Sequence, residues 1–194
     1  GRFGWKAAFP TLEDFVRDAL SNENGLTVPE GSGFLAGRSK DEDDVQDPEF
    51  AGEDYGALVF FSDMLGPPPR QKRSGPEIEK GESLFESVGC VDCHTPTLET
   101  SDGTEVNLYS DLLLHEVAPE GFRGVAEADA GVREFRTPPL WGIGRSAPYM
   151  HDGLSDTLAS AIRRHAGEAE GVIDNYEALN ATERERLIAF LKSL

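Results

Sequence analysis

The sequence predicts a mainly α-helical fold in which long loops connect the helices. Several segments begin with a helix-capping residue and then place apolar side chains at helical spacing. The 194 residues include 21 glycines and 12 prolines, which is typical of extensive loop structure. Only 38% of the residues are apolar, so the hydrophobic core is expected to be modest. The length of the chain suits one domain or one and a half.

Residues 1–73 are expected to form an N-terminal extension of helices and loops. Thr11-Leu12-Glu13-Asp14 resembles a capping box and predicts a short helix that ends near Asn22. Residues 52–65 contain enough apolar side chains to predict a largely buried helix, with Met64 in the core. The glycine and three prolines of residues 66–69 end that helix and predict a stiff linker.

Between these helices, residues 23–50 are polar and predict a loop. Its acidic run, Asp41-Glu42-Asp43-Asp44, is expected to be solvated. Calcium binding is the alternative, although the run lacks the glycine and the terminal glutamate of an EF-hand loop.

A single Cys-x-x-Cys-His motif, at residues 90–94, contains both cysteines of the chain. The motif predicts covalent attachment of one haem c, because its two thiols add to the two vinyl groups of the haem. His94 stands at the position of the proximal iron ligand. Residues 75–86 predict a preceding helix, with Pro76 at its start and Gly89 as its C-terminal cap.

Three other uses of the two cysteines remain open. A zinc site needs four ligands, yet the chain has no further cysteine and no closely spaced histidine pair. A thioredoxin-like redox motif opens a helix, whereas this motif follows one. A structural disulfide across two intervening residues would close a small, strained ring.

Two further helices are predicted after the motif. Ser155-Asp156 is expected to cap a helix over residues 157–165 that stops at Gly167. Asn180-Ala181-Thr182-Glu183 opens a last helix with one apolar face. The residues on that face are Leu187, Phe190, Leu191 and Leu194. Residues 95–154 read mostly as loop, as expected of a chain that wraps around a prosthetic group.

A helix that ends at Cys-x-x-Cys-His, followed by an amphipathic C-terminal helix, is the outline of a class I cytochrome c domain. Residues 74–194 are therefore predicted to form such a domain. In that fold the two helices cross, and Gly81 is small enough to let them approach closely.

Six segments carry a resemblance to one family, namely residues 1–7, 81–85, 89–96, 109–115, 135–142 and 151–153. They resemble, in family order, the C-terminal half of the bacterial di-haem thiol oxidoreductase-like proteins, which are relatives of the di-haem cytochrome c peroxidases. Two departures stand out. The chain lacks the additional Cys-x-x-Cys-His that such proteins usually carry upstream, and Glu116-Val117-Ala118 replaces a sequence nearer Asp-Met-Gly.

The resemblance implies that His165 is the distal iron ligand. In the peroxidase relatives, the second-domain haem takes this ligand 14 residues after the counterpart of His151. Met150 is an alternative, because it follows His94 by 56 residues, a spacing like that in small class I cytochromes. His151 itself, or an open iron position, completes the set of alternatives.

Other side chains are candidates for contacts around the haem. Arg136 and Arg145 are predicted to bind the propionates, since a guanidinium pairs with a carboxylate through two hydrogen bonds. Tyr109 is expected to add a phenolic hydrogen bond. Trp141 is expected to pack on the haem, to lie between the haem and a neighbouring redox centre, or to pack in the core. His115 and His151 are expected to orient loops or ligands through hydrogen bonds.

Charge and location limit the partners. A net charge of −18 disfavours nucleic acid and anionic membranes, and it suits a basic redox partner or simple solubility. No apolar run approaches the length of a transmembrane helix.

The chain starts without methionine or a signal peptide, as expected of a mature or trimmed piece. Haem is attached to this motif outside the cytoplasm, which predicts a periplasmic or extracellular protein.

The predicted function is electron transfer through one covalent haem c. The alternatives are a haem peroxidase or oxidase, the electron-feeding half of one, or a subunit of a cytochrome assembly. By resemblance, the C-terminal haem is the electron-feeding one and the missing half carries the reactive site. Catalysis by this chain alone is therefore not expected, and its partner is a redox protein or a second haem-bearing half.

Overall fold

The computed structural model describes residues 1–31, 37–71 and 74–194. These residues form two compact units, Gly1–Gly66 and Pro67–Leu194. Most of the regular structure is helical, which confirms the prediction of a mainly α fold. The division into an extension of residues 1–73 and a cytochrome c domain of residues 74–194 stays a prediction. Within the described residues, no helix combines the length and the apolar character needed to cross a membrane.

The first unit contains helix α1, Leu12–Asp18, a π-helical turn, Ala19–Glu23, and helix α2, Gly52–Asp63. The side chain of Thr11 accepts a hydrogen bond from the backbone N–H of Asp14, so the predicted cap of α1 is confirmed. The buried apolar residues of this unit are Val16, Leu20, Val28 and Tyr55.

The expected burial of α2 is wrong. Tyr55 is its only buried residue, whereas the side chains of Phe60, Phe61 and Met64 are 65%, 59% and 61% exposed. The apolar residues of α2 are spread around the helix, so one packed side leaves the others in solvent. Apolar density correctly predicted a helix, but it did not provide a packing partner.

The second unit is built around helix α3, Pro76–Val88. The helix starts at Pro76 and ends at Gly89, which adopts the left-handed conformation with φ +100°, as predicted. Helix α4, Leu158–Arg163, is capped by Thr157 rather than by Ser155-Asp156, because the Thr157 side chain accepts from the Ser160 N–H.

Two helices complete this unit, α5, Glu170–Ala178, and α6, Ala181–Leu191. Helix α5 is not marked in the sequence by a capping residue or an apolar face. The capping box between Asn180 and Glu183 at the start of α6 is confirmed, and its predicted apolar face is buried.

Helices α3 and α6 cross where Gly81 faces Arg186. A Cβ atom at Gly81 would lie 2.2 Å from the carbonyl oxygen of Arg186 and 2.7 Å from Cβ of Phe190. The absence of a side chain at Gly81 is therefore a condition for this crossing, as predicted. The core around it consists of Ile78, Phe85, Val88, Tyr109, Leu140, Leu158, Tyr176, Leu187, Phe190, Leu191 and Leu194.

Four short strands interrupt the long loop that the sequence predicted over residues 95–154. Strand β1, Leu98–Glu99, pairs antiparallel with β2, Glu105–Val106. Strand β3, Leu114–Glu116, pairs antiparallel with β4, Glu134–Arg136, with His115 opposite Phe135. The rest of the segment is loop and turn apart from a 3₁₀ turn over Ile143–Arg145.

Replacing Gly81 with alanine should lower the free energy of unfolding by about 3 kcal/mol, because backbone must move to accept the new methyl group. Gly171→Ala is the matched control. Gly171 lies in α5, and no atom lies within 4 Å of the place where a Cβ would stand, so alanine there should be neutral or stabilising. Urea unfolding of the two variants measures the difference, and equal stabilities would contradict the close crossing.

Candidate haem centre

The Cys-x-x-Cys-His motif lies directly after the C-terminal end of α3. Gly89 turns the chain out of the helix, and Cys90–Asp92 form a 3₁₀ turn. The backbone N–H of His94 donates to the carbonyl of Cys90 at 2.9 Å, which closes the motif into a compact turn. Cys90 and Cys93 are both partly buried and are not joined by a disulfide.

Burial disfavours the thiolate form of both cysteines. Burial raises the pKa of Cys90 to about 12 and that of Cys93 to about 11, and neighbouring carboxylates add to the shift at Cys93. A redox-active cysteine typically has a lowered pKa, since the thiolate is the nucleophile. The arrangement suits thiols that are consumed in thioether bonds.

Tyr109 orients the ring of His94. Nδ1 of His94 lies 2.9 Å from the carbonyl oxygen of Tyr109, a residue held in the left-handed conformation with φ +54°. A carbonyl only accepts, so Nδ1 carries the hydrogen and Nε2 keeps its lone pair. The pKa of His94 is lowered to about 4, chiefly by burial, while the Tyr109 carbonyl opposes the shift and His165 adds to it.

His165 has the same arrangement. Its Nδ1 lies 2.8 Å from the carbonyl oxygen of Ala161 in α4, so Nε2 again keeps its lone pair. Burial lowers its pKa and favours the neutral ring. Two neutral imidazoles with available Nε2 atoms are a donor set that fits haem iron.

The other distal candidates lie in one turn. Met150 is partly buried with φ +66°, and its carbonyl accepts from the Gly153 N–H at 3.2 Å. The ring of His151 stacks on Phe135, with 3.6 Å between the centroids and 9° between the planes. One face of the His151 ring is therefore covered by Phe135. Met150 stays an alternative distal ligand.

This turn is tied to the chain just before His165. Asp152 accepts two hydrogen bonds from the guanidinium of Arg164, at 2.9 and 2.5 Å. The Arg164 guanidinium lowers the pKa of Asp152 to about 2. The His151-Asp152-Gly153 segment noted in the sequence thus anchors the end of α4, a role that its spacing alone did not predict.

The propionate candidates lie in two places. Arg136, in β4, is partly buried, which lowers the pKa of its guanidinium, and it donates to the Thr137 carbonyl at 3.3 Å. Arg145 is exposed at the end of its 3₁₀ turn. Their contacts with propionates stay a prediction.

Tyr109 and Trp141 have defined polar partners. The hydroxyl of buried Tyr109 donates to Glu82 at 3.2 Å, so within the protein the phenol pairs with α3. Trp141 is partly buried and donates from Nε1 to the carbonyl of Asn107 at 2.8 Å. The predicted haem contacts of these two rings stay open, whereas the Tyr109 carbonyl is a site group that sequence reasoning missed.

His115 orients chain segments through hydrogen bonds, as expected, but its partners were not predicted. Its Nε2 lies 2.8 Å from Asp111 and its Nδ1 lies 2.8 Å from Glu168. The spacing of four residues to Asp111 was visible in the sequence, whereas no local pattern pointed to Glu168.

Two groups of three potential metal ligands occur among the described residues. The first joins Cys93, Asp111 and His115, and both ring nitrogens of this histidine already bind carboxylates. The second joins Asp41 and Asp43 of the predicted acidic loop with Glu49, whose ligand atoms lie within 4.8 Å of one another. Calcium binding there stays the alternative to a solvated loop.

The family model described as "Di-haem oxidoreductase, putative peroxidase" matches residues 1–194. The chain belongs to the di-haem oxidoreductase family. This confirms the family resemblance of the sequence. Membership supports haem c as the cofactor.

The relatives of this chain include two named peroxidases. Over 61% of the chain it is 32% identical to cytochrome c551 peroxidase of Nitrosomonas europaea, of which it covers 34%. It is also 31% identical, again over 61% of the chain, to cytochrome-c peroxidase IdrP2 of a Pseudomonas species, of which it covers 39%. Methylamine utilization protein MauG of Methylorubrum extorquens is 29% identical over 62% of the chain, which covers 35% of MauG.

Two solved structures share the fold. Hydrazine synthase of Kuenenia stuttgartiensis has a TM-score of 0.53 at 24% identity and matches 73% of this chain and 55% of its own. A MauG-like protein associated with microbial copper homeostasis has a TM-score of 0.50 at 21% identity and matches 73% of this chain and 52% of its own.

The chain spans between about a third and two fifths of the curated relatives it matches. The comparisons favour the alternative function, part of a haem oxidoreductase, over an independent single-haem electron-transfer cytochrome.

Proposed function

We propose that this chain is the electron-feeding haem c unit of a peroxidase-type di-haem oxidoreductase. The observation that carries the proposal is the matched pair of histidines. His94 and His165 each donate Nδ1–H to a backbone carbonyl and keep Nε2 available. Two ligands of this kind close both faces of an iron, which suits electron transfer rather than binding of a small oxidant.

Each residue of the proposed site has a stated task. Cys90 and Cys93 form the thioether bonds, His94 is the proximal ligand and His165 the distal ligand. The carbonyls of Tyr109 and Ala161 fix the tautomer and the ring plane of the two histidines. When bound, haem c supplies the iron that is oxidised and reduced by one electron.

The surroundings of the haem follow from the same proposal. Arg136 and Arg145 would pair with the propionates, and Tyr109 and Trp141 would contact the haem edge. Met150 is the alternative distal ligand. A class I cytochrome c arrangement of residues 74–194 agrees with the close crossing of α3 and α6 at Gly81.

The proposed partner is a second haem-bearing half or a redox protein with a basic surface, since the chain carries a net charge of −18. A periplasmic or extracellular location is proposed with it, because haem is joined to Cys-x-x-Cys-His outside the cytoplasm. The names of the relatives support a peroxidase-type system.

The purified protein should carry one haem through thioether bonds. Its intact mass after denaturation should exceed the sequence mass by one haem, and the haem should stay with the protein during acid–organic extraction. Cys90→Ala leaves one thioether at most, so less haem should remain attached in that variant. Haem that is lost to the organic phase, or stoichiometric zinc, would contradict the proposed site.

A further inference from the structure

Strand β3 lies between the chain segment that carries His94 and the segment that carries His165. It contributes His115 and Glu116, and their contacts extend to both sides. The strand itself is held by its antiparallel pairing with β4. It therefore offers a fixed connection between two segments that are far apart in sequence.

The contacts toward His94 pass through Asp111. The backbone N–H of Asp111 donates to the carbonyl of Cys93 at 2.9 Å, which fixes this residue against the haem-attachment motif. The Asp111 carboxylate binds Nε2 of His115 at 2.8 Å. Since Tyr109, two residues before Asp111, binds His94, the whole segment is anchored at the proximal histidine.

The contacts toward His165 pass through Glu168 and its neighbours. One carboxylate oxygen of Glu168 binds Nδ1 of His115 and the other accepts from the backbone N–H of Glu116, both at 2.8 Å. The Ala166 N–H donates to the carbonyl of Val117 at 2.9 Å. The chain that follows His165 is thereby bound, on both sides of residue 167, to Glu116 of β3 and to Val117, the residue after the strand.

Gly167 brings this chain into close contact with the strand. It has φ +57°, and a Cβ atom there would lie 2.3 Å from the carbonyl oxygen of Glu116. Only glycine fits both the conformation and the distance. The approach is therefore built into the backbone and does not depend on side chains alone.

The charges strengthen the connection. Both ring nitrogens of His115 face carboxylates, so both carry hydrogen and the ring is an imidazolium between two anions. Burial alone would lower the pKa of His115, but Glu168 and Asp111 together raise it. The histidine, in turn, lowers the pKa of Glu168. Hydrogen bonds between charged groups are the stronger class and tolerate little change in geometry.

The geometry points to His115 as a positioning residue that, with Asp111 and Glu168, fixes the distance between the proximal and distal ligand segments. This inference rests on the proposed function, because it assigns His165 to the iron. We call the contacts of His115 with Asp111 and Glu168 the His115 bridge. Without this bridge, the chain after α4 would lose a charged anchor three residues beyond His165. The distal ligand would then leave the iron more often, and the open fraction would grow.

The test compares holoproteins that carry His115→Gln or Glu168→Gln with the unmodified chain. Glu77→Gln is the matched control, since Glu77 is a similarly exposed carboxylate that binds Arg186 and Lys80 away from the motif. Binding of carbon monoxide to the reduced proteins reports the open fraction, and redox titration reports the potential. In the two test variants the apparent affinity for the gas should rise about tenfold, in proportion to the open fraction.

Two further results separate positioning from a general loss of stability. The double variant should bind the gas no better than either single variant, because the two changes break one connection. Glu168→Asp keeps the charge and should restore part of the wild-type behaviour. Glu77→Gln should lower thermal stability by a similar amount and leave gas binding and potential unchanged.

The outcomes also separate this inference from the proposed function. If the unmodified reduced protein binds carbon monoxide readily, the closed iron of the proposed function is wrong and the inference falls with it. If the unmodified protein is closed and both test variants stay closed at an unchanged potential, the bridge is overturned while the proposed function stands.

Discussion

Replacing His165 with alanine should open the iron to carbon monoxide, whereas the unmodified reduced protein should bind very little of the gas. The imidazole of His165 keeps Nε2 available because its Nδ1 donates to Ala161, so its removal leaves the distal face without this nitrogen ligand. The expected change is from a six-coordinate low-spin spectrum to one that shifts on addition of the gas. Visible spectra of the oxidised and reduced proteins measure it.

Met150→Ala is the matched control for this prediction. Met150 is a partly buried candidate in the neighbouring turn, and its loss should leave the low-spin spectrum in place. The opposite pattern, with the long-wavelength band of methionine–iron bonding in the oxidised protein and loss of that band in Met150→Ala, would assign the distal position to methionine. His94→Ala should remove the low-spin spectrum in either case.

The helices that the sequence located best are those whose ends carry their own stop and start residues. Gly89 ends α3 because it adopts a left-handed conformation, and the box of Asn180 and Glu183 begins α6 through two reciprocal hydrogen bonds. Both signals act within a few residues, so the sequence contains all the information they need.

Elements that depend on distant partners were located poorly. Helix α5 follows Ala169, whose methyl side chain cannot cap a helix, and Tyr176 is its one buried residue. The sequence therefore contained neither a capping signal nor an apolar face that would have indicated this helix. The apolar side chains of α2 predicted burial, yet Phe60 and Phe61 are exposed, because composition does not supply the surface that would cover them.

The candidate site divides in the same way. Fixed spacing identified Cys90, Cys93 and His94, because haem attachment requires these residue types at these positions. The groups that orient the histidines His94 and His115 could not be found from sequence spacing. The carbonyl of Tyr109 comes 15 residues after His94, and the carboxylate of Glu168 comes 53 residues after His115. Only the folded loop brings these pairs together.

The isolated chain should show negligible peroxidase turnover. Peroxide must bind iron before it reacts, and the proposed pair of His94 and His165 leaves it no position. An active site would also need acid–base groups beside the open face. His115 is committed to two carboxylates, and the face of His151 is stacked on Phe135. Both histidines are therefore poor candidates for proton transfer to a bound oxidant.

Peroxide consumption with a chemical reductant measures this prediction, and the turnover should fall far below the roughly 1–1000 per second of ordinary enzymes. His165→Ala is the informative comparison. It opens the iron but supplies no acid–base group, so it should bind carbon monoxide and still turn over slowly. Turnover at enzyme rates by the unmodified chain would mean that this haem is itself the reactive one. The electron-feeding assignment would then pass to the second haem-bearing half, because two haems in one oxidoreductase divide into one that reacts with the oxidant and one that supplies the electron.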